Sequence, residues 1–126
     1  MGRVSDRVCI VTGAARGIGR AIGEALLAEG ARVCFADING PQVADVAEDN
    51  RTRMNGAADR VTSCAVDVMD RAQVRAMIAH TVDTFGRLDV KFNNAGVNKP
   101  MNFMDVTEDN WNFIMGVNGL GCMIGM

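Results

Sequence analysis

The stretch Thr12-Gly13-Ala14-Ala15-Arg16-Gly17-Ile18-Gly19 decides how this chain reads. The apolar run Val8-Cys9-Ile10-Val11 stops at Thr12-Gly13. Beyond Gly19 the pattern changes to helical spacing, with Ile18, Ile22, Ala25 and Leu26 on one face until Gly30. A second apolar run, Val33-Cys34-Phe35-Ala36, ends on Asp37. A strand, a glycine-rich turn, a helix and a second strand closed by an acid are the parts of a dinucleotide cradle.

Each part has a physical reason. Gly13 lets the chain turn sharply off the strand. Gly17 removes the Cβ that would hold the backbone away from a pyrophosphate, and Gly19 lets the helix lie close to the sheet. The unpaired N–H groups of the helix's first turn, with the positive end of its dipole, then face the phosphates. Asp37 follows Gly19 by 18 residues, where a carboxylate can accept both hydroxyls of an adenosine ribose and repels an added 2′-phosphate.

Outward from this stretch, strands and helices alternate. Asn39-Gly40-Pro41 opens a second helix, with proline in the first turn, Val43, Val46, Ala47 and Met54 on its buried face and Asn55-Gly56 at its end. Val61 to Val66 reads as a third strand, followed by Asp67-Val68. Asp70 caps a third helix with the stripe Val74, Met77, Ile78, Val82 and Phe85, and Gly86 stops it. Leu88 to Phe92 is a fourth strand running into Asn93-Asn94-Ala95-Gly96, and Thr107 caps a last helix. The expected fold is α/β, a Rossmann-type doubly wound parallel sheet, first half only, with strand order 3-2-1-4, filling residues 1–126 as one domain. Ligand is then expected between strands one and four, where the loops after Thr12 and Phe92 meet.

Composition narrows the function classes. The 126 residues carry a net charge of −2, which provides no basic field for nucleic acid or an anionic membrane. No apolar run is long enough to span a bilayer, and the N-terminus lacks a signal-peptide profile. Cys9, Cys34, Cys64 and Cys122 lie far apart without metal spacing, so reduced thiols and a cytoplasmic location are expected. His80 reads as a solvated helix residue, and Lys91, inside a strand, as a side chain stretching to water.

Taken together these motifs resemble the first half of a short-chain dehydrogenase/reductase. Thr12-Gly13, three residues, then Gly17-Ile18-Gly19 is similar to that family's cofactor motif, with Arg16 in the loop. The resemblance implies that Asp67 and Val68 contact the adenine ring and that Asn94, Ala95 and Gly96 lie against the cofactor. It also implies that Asn118 is the asparagine of the catalytic tetrad. Phe92 to Met101 resembles bacterial members acting on vicinal diols, acetoin-type ketones or polyols. The implied partners are a small alcohol or ketone and further copies in a homo-oligomer, with no nucleic acid and no membrane.

Arg16 and Asp37 pull the cofactor choice in opposite directions. Arg16 suits the extra phosphate of NADP, whereas Asp37 repels it and the neighbouring Ile38 adds no compensating charge. Repulsion in a desolvated pocket outweighs an exposed arginine, so NAD is expected. The family's proton transfer needs a tyrosine, and the sequence contains none. These residues alone are therefore expected to be inactive, as an N-terminal fragment of an oxidoreductase with an exposed fourth strand. The alternative from another class is a non-catalytic dinucleotide-binding module with a regulatory or interaction role.

Overall fold

Period-two alternation inside the apolar runs sends neighbouring side chains to opposite faces of one sheet. The computed structural model describes residues 5–53 and 57–94. In it four strands pair in parallel in the order β3-β2-β1-β4: β1 (Val8–Thr12), β2 (Arg32–Asp37), β3 (Val61–Ala65) and β4 (Val90–Phe92). This is the expected strand order. The expected last helix from Thr107, together with Met54, Asn55-Gly56, Ala95, Gly96, Asn118 and Cys122, lies outside the described residues.

One sheet face carries Cys9, Val11, Val33, Phe35 and Val61 into a core shared with Leu27 of α1 (Gly17–Ala28) and Val43, Val46 and Ala47 of α2 (Gly40–Arg53). The opposite face carries Ile10, Cys34 and Ala36 against Val74 and Met77 of α3 (Arg71–Phe85). Both faces are covered, which is why β1 and β2 read as continuous apolar runs. Full burial of Ile10 and Phe35 contributes about 1.5–3 kcal/mol each.

The line of α1 that meets the sheet differs from the expected one. Gly19, Gly23 and Leu27 are its buried residues, Ile22 and Leu26 are half-buried, and Ala25 is exposed. Ile18 is 74% exposed. The cause is close approach. A Cβ on Gly23 would run into the ring of Phe35, so the glycine line lies nearest the sheet and Ile18, about 100° away, falls outside it.

Smaller differences have equally local causes. Strand β3 ends at Ala65, and β4 begins at Val90 rather than Leu88, although the Asp89 N–H already donates to the Val8 carbonyl at 2.9 Å. On α3, Thr81 is buried and donates to the Met77 carbonyl at 2.9 Å, while Val82 is 38% exposed. A threonine that satisfies its hydroxyl within the helix is apolar enough to take the core position. Asp70 and Gly86 cap α3 as expected, the glycine at φ 85°.

His80 is not merely solvated: its Nε2 lies 2.8 Å from the Thr62 hydroxyl, tying α3 to β3. Lys91 is half-buried opposite Ile10. Cys9 and Cys34 are buried free thiols, and burial pushes Cys34 up to about 12; Cys64 is half-buried. Between α1 and α2, Glu24 accepts from Arg20, Arg53 and the Asn50 amide. Burial pushes the Glu24 carboxyl up, but the Asn50 amide and the two guanidiniums outweigh it and hold it below its usual range.

Candidate cofactor site

At the carboxyl ends of the strands lies a cleft of about 380 Å³. Its first wall is the loop after β1. Gly13 and Gly17 both take positive φ, 67° and 62°, which swings the backbone up from β1 and into α1. The space where a Cβ of Gly17 would stand is open. Gly19 is the reverse: a Cβ there would run into the Gly13 carbonyl oxygen and stand 2.6 Å from Asn94 Nδ2. One glycine clears room for a ligand, and the other lets helix, turn and β4 end meet.

Arg16 is the N-cap of α1 in an extended conformation, and no side chain caps the helix. Gly17, Ile18 and Gly19 of the first turn line the cleft, so the positive end of the helix dipole lies at its wall, which favours an anion there. Ile18, set outside the core, lines the same wall.

Asp37 forms the rim at the end of β2. Its two carboxylate oxygens accept from the Ala15 N–H at 3.1 Å and the Asn39 N–H at 2.9 Å. These bonds fix the carboxylate against the glycine loop while leaving lone pairs for hydroxyl donors. The third wall is Val66, Asp67 and Val68, after β3. Val66 N–H donates to the Asp37 carbonyl at 2.9 Å, so the second and third walls are joined. Asp67 is half-buried and accepts from the Met69 N–H at 3.0 Å, a turn acid and a wall residue at once.

Asn94 closes the fourth side. Its backbone N–H donates to the Thr12 hydroxyl at 3.0 Å, and that hydroxyl donates to the Phe92 carbonyl at 3.2 Å. Thr12, only 1% exposed, thus fastens the end of β4 to the end of β1.

Gly13, Arg16, Gly17, Ile18, Gly19, Asp37, Asp67, Val68 and Asn94 all line this one cleft. Ala95, Gly96 and Asn118 lie outside the described residues. Ile38, Val66 and the fastening role of Thr12 were not anticipated. Ile38, read only as a neighbour of Asp37 that adds no compensating charge, is 71% exposed. Among the described residues no group of three or more His, Cys, Asp or Glu could hold a metal, and no helix is long and apolar enough to cross a membrane.

Open space above Gly17, an uncapped helix start and an anchored carboxylate fit an adenine dinucleotide. A family model described as short chain dehydrogenase matches residues 7–126. The chain belongs to the short-chain dehydrogenase family. Oxidoreductase UcpA of Salmonella typhimurium is 34% identical over 118 residues, covering 94% of this chain and 43% of that protein.

Two solved structures similar to this chain hold a cofactor. A 3-ketoacyl-(acyl-carrier-protein) reductase from Brucella melitensis, complexed with NADH, superimposes with a TM-score of 0.87 at 28% identity. The match covers 97% of this chain and 48% of that one. A short chain dehydrogenase/reductase from Burkholderia phymatum, in complex with NAD, gives 0.89 at 29% identity and covers 99% and 43%. The chain spans about half the length of the relatives it matches.

Proposed function

We propose that this chain forms the cofactor-binding part of an NAD-dependent oxidoreductase. The substrate class is a secondary alcohol or ketone of the diol, acetoin or polyol type. The observation that carries the cofactor reading is Asp37, held at the cleft rim by the Ala15 and Asn39 amides in the same cleft as the open space at Gly17.

In this reading the first-turn amides of α1 and the backbone of Gly17 hold the pyrophosphate. Asp37 accepts the adenosine ribose hydroxyls, Asp67 and Val68 border the adenine, and Asn94, Ala95 and Gly96 lie against the remainder. NAD, when bound, supplies the carbon that takes up or gives back a hydride. A 2′-phosphate would be pressed against Asp37, and like charges brought together in a pocket cost several kcal/mol. Arg16, exposed to solvent in the glycine loop, offsets little of that.

Asn118 is the one residue assigned here to the catalytic group, as an orienting amide. The proton-transferring phenol is not among these 126 residues, which contain no tyrosine. The 126 residues by themselves are therefore expected to bind cofactor and turn over no alcohol. The test is an assay of the full-length protein with NAD and a panel of vicinal diols, polyols and simple secondary alcohols, following NADH formation. Turnover on diols or polyols that falls sharply in Asn118→Ala supports the reading. Turnover with NADP alone, or activity of the isolated 126 residues, contradicts it.

A further inference from the structure

The third wall of the cleft is not part of the sheet, so something else must hold it. The residue that follows an N-cap by three positions commonly reaches back to the N-cap's own N–H. At the start of α3 that N–H, on Asp70, is already engaged with the Asp67 carbonyl at 3.0 Å. Gln73 instead reaches three residues further, and its Oε1 accepts from the Asp67 N–H at 2.8 Å. Its Nε2 donates to Asp70 Oδ2 at 3.2 Å, while Asp70 Oδ1 caps the Ala72 N–H at 2.9 Å. Because a backbone N–H demands an acceptor, the orientation of the Gln73 amide is fixed by its neighbours.

The wall is thereby pinned at two points. Val66 N–H is held by the Asp37 carbonyl on the sheet side, and Asp67 N–H by Gln73 on the helix side. Asp67 also accepts from the Met69 N–H, so its carboxylate has one setting relative to the cleft. We propose that Gln73, which does not itself line the cleft, is a positioning residue that sets adenine-side affinity by holding Asp67 and Val68 in place. This inference rests on the dinucleotide reading of the cleft and extends it to a residue outside the wall.

The test uses three variants, with AMP and NADH as probes. Gln73→Met keeps the side-chain length without the acceptor, Gln73→Ala removes the chain without added bulk, and Gln73→Glu keeps an acceptor toward Asp67. The amide exchange rate of Asp67, measured without ligand, is the second readout. Loss of one such bond is expected to weaken AMP and NADH by the same factor, about three- to tenfold, in Gln73→Met and Gln73→Ala. The Asp67 amide exchanges faster in both, whereas in Gln73→Glu, which keeps the acceptor but sets a second carboxylate against Asp70, its exchange lies between the wild type and Gln73→Met. The inference is overturned if Gln73→Met or Gln73→Ala binds AMP as the wild type does, or if either weakens AMP while the Asp67 amide exchanges at the wild-type rate. A wild-type protein that binds neither AMP nor NADH, while Gln73→Met still speeds Asp67 exchange, defeats the dinucleotide reading itself and this inference with it.

Discussion

Strands β1 and β4 run side by side beneath the same cleft, and they are held in place by different means. All five residues of β1 are buried, and it is paired on both sides, to β2 and to β4. Strand β4 has three residues, with Val90 38% exposed and Phe92 half-buried. Packing fixes β1; β4, beyond its three-residue pairing with β1 and the contact of Phe92 with the core, is tied by polar groups near its two ends. At one end the Asp89 carboxylate accepts from the Val8 N–H at 2.9 Å, and at the other the Thr12 hydroxyl joins Phe92 and Asn94. The glycine-loop side of the cleft thus inherits the rigidity of a core, while the Asn94 side depends on a few hydrogen bonds.

The contrast breaks most visibly at the glycines. Gly19→Ala forces a Cβ into the Gly13 carbonyl where β1, α1 and Asn94 meet, and should cost about 2–3 kcal/mol of stability and abolish detectable NADH binding. Gly17→Ala meets nothing, and its positive φ costs only about 1–2 kcal/mol, yet its methyl stands where the ligand must come. That chain should stay folded and still bind NADH poorly. Denaturant titration with parallel cofactor-fluorescence titration separates the two. Equal behaviour of both variants refutes the division of labour between the glycines.

Thr12→Val tests the fastener at the Asn94 end. Removing the buried hydroxyl leaves the Asn94 N–H with only the Phe92 carbonyl, 3.0 Å away, as acceptor, with an expected loss of about 0.5–1.5 kcal/mol. Amide exchange should quicken at Asn94 and along β4 while the β1–β2 ladder stays protected. Uniform loosening of all four strands speaks against separate means of support.

Asp37→Asn removes the rim charge and leaves the core alone. The preference for NADH over NADPH should fall about tenfold, equivalent to about 1.4 kcal/mol, because repulsion of the 2′-phosphate disappears. An unchanged ratio places the discrimination elsewhere.

The smallest effect is acid-side stability at the Asp89 fastener. The Val8 N–H and then the Arg87 side chain hold this carboxyl below its usual value near 3.8. Its contribution is therefore fully present above that usual value and is lost as pH falls through the lower folded-state value. Denaturation midpoints measured from pH 6 to pH 2 should decline less steeply in Asp89→Asn than in the wild type, ~pH 4 being where the two curves begin to diverge. Parallel curves contradict the assignment of this carboxylate to the seam.

The same contrast explains how much the sequence alone could tell. Runs buried on both faces, a glycine at each sharp turn and capping residues such as Asp70 and Gly86 have one dominant local meaning, and they located seven elements, the glycine loop and Asp37, whereas Asp67, Val68 and Asn94 came only with the resemblance to a family. Ile18 misled because an apolar residue in a helix's first turn has the same spacing whether it meets core or ligand. Thr81 and Val82 exchanged places because a hydroxyl that bonds its own helix packs like a methyl. The Thr12–Asn94 fastener joins residues 82 apart, and no local pattern encodes it. The Gln73 clasp was hidden because a glutamine three places after an N-cap ordinarily serves the helix.

The most direct test of the central claim is a calorimetric titration of the wild-type protein with NADH and with NADPH at the same salt concentration. An anchored Asp37 at the rim predicts saturable binding of NADH at least about tenfold tighter than NADPH. Tighter or equal binding of NADPH, or no binding of either, contradicts it.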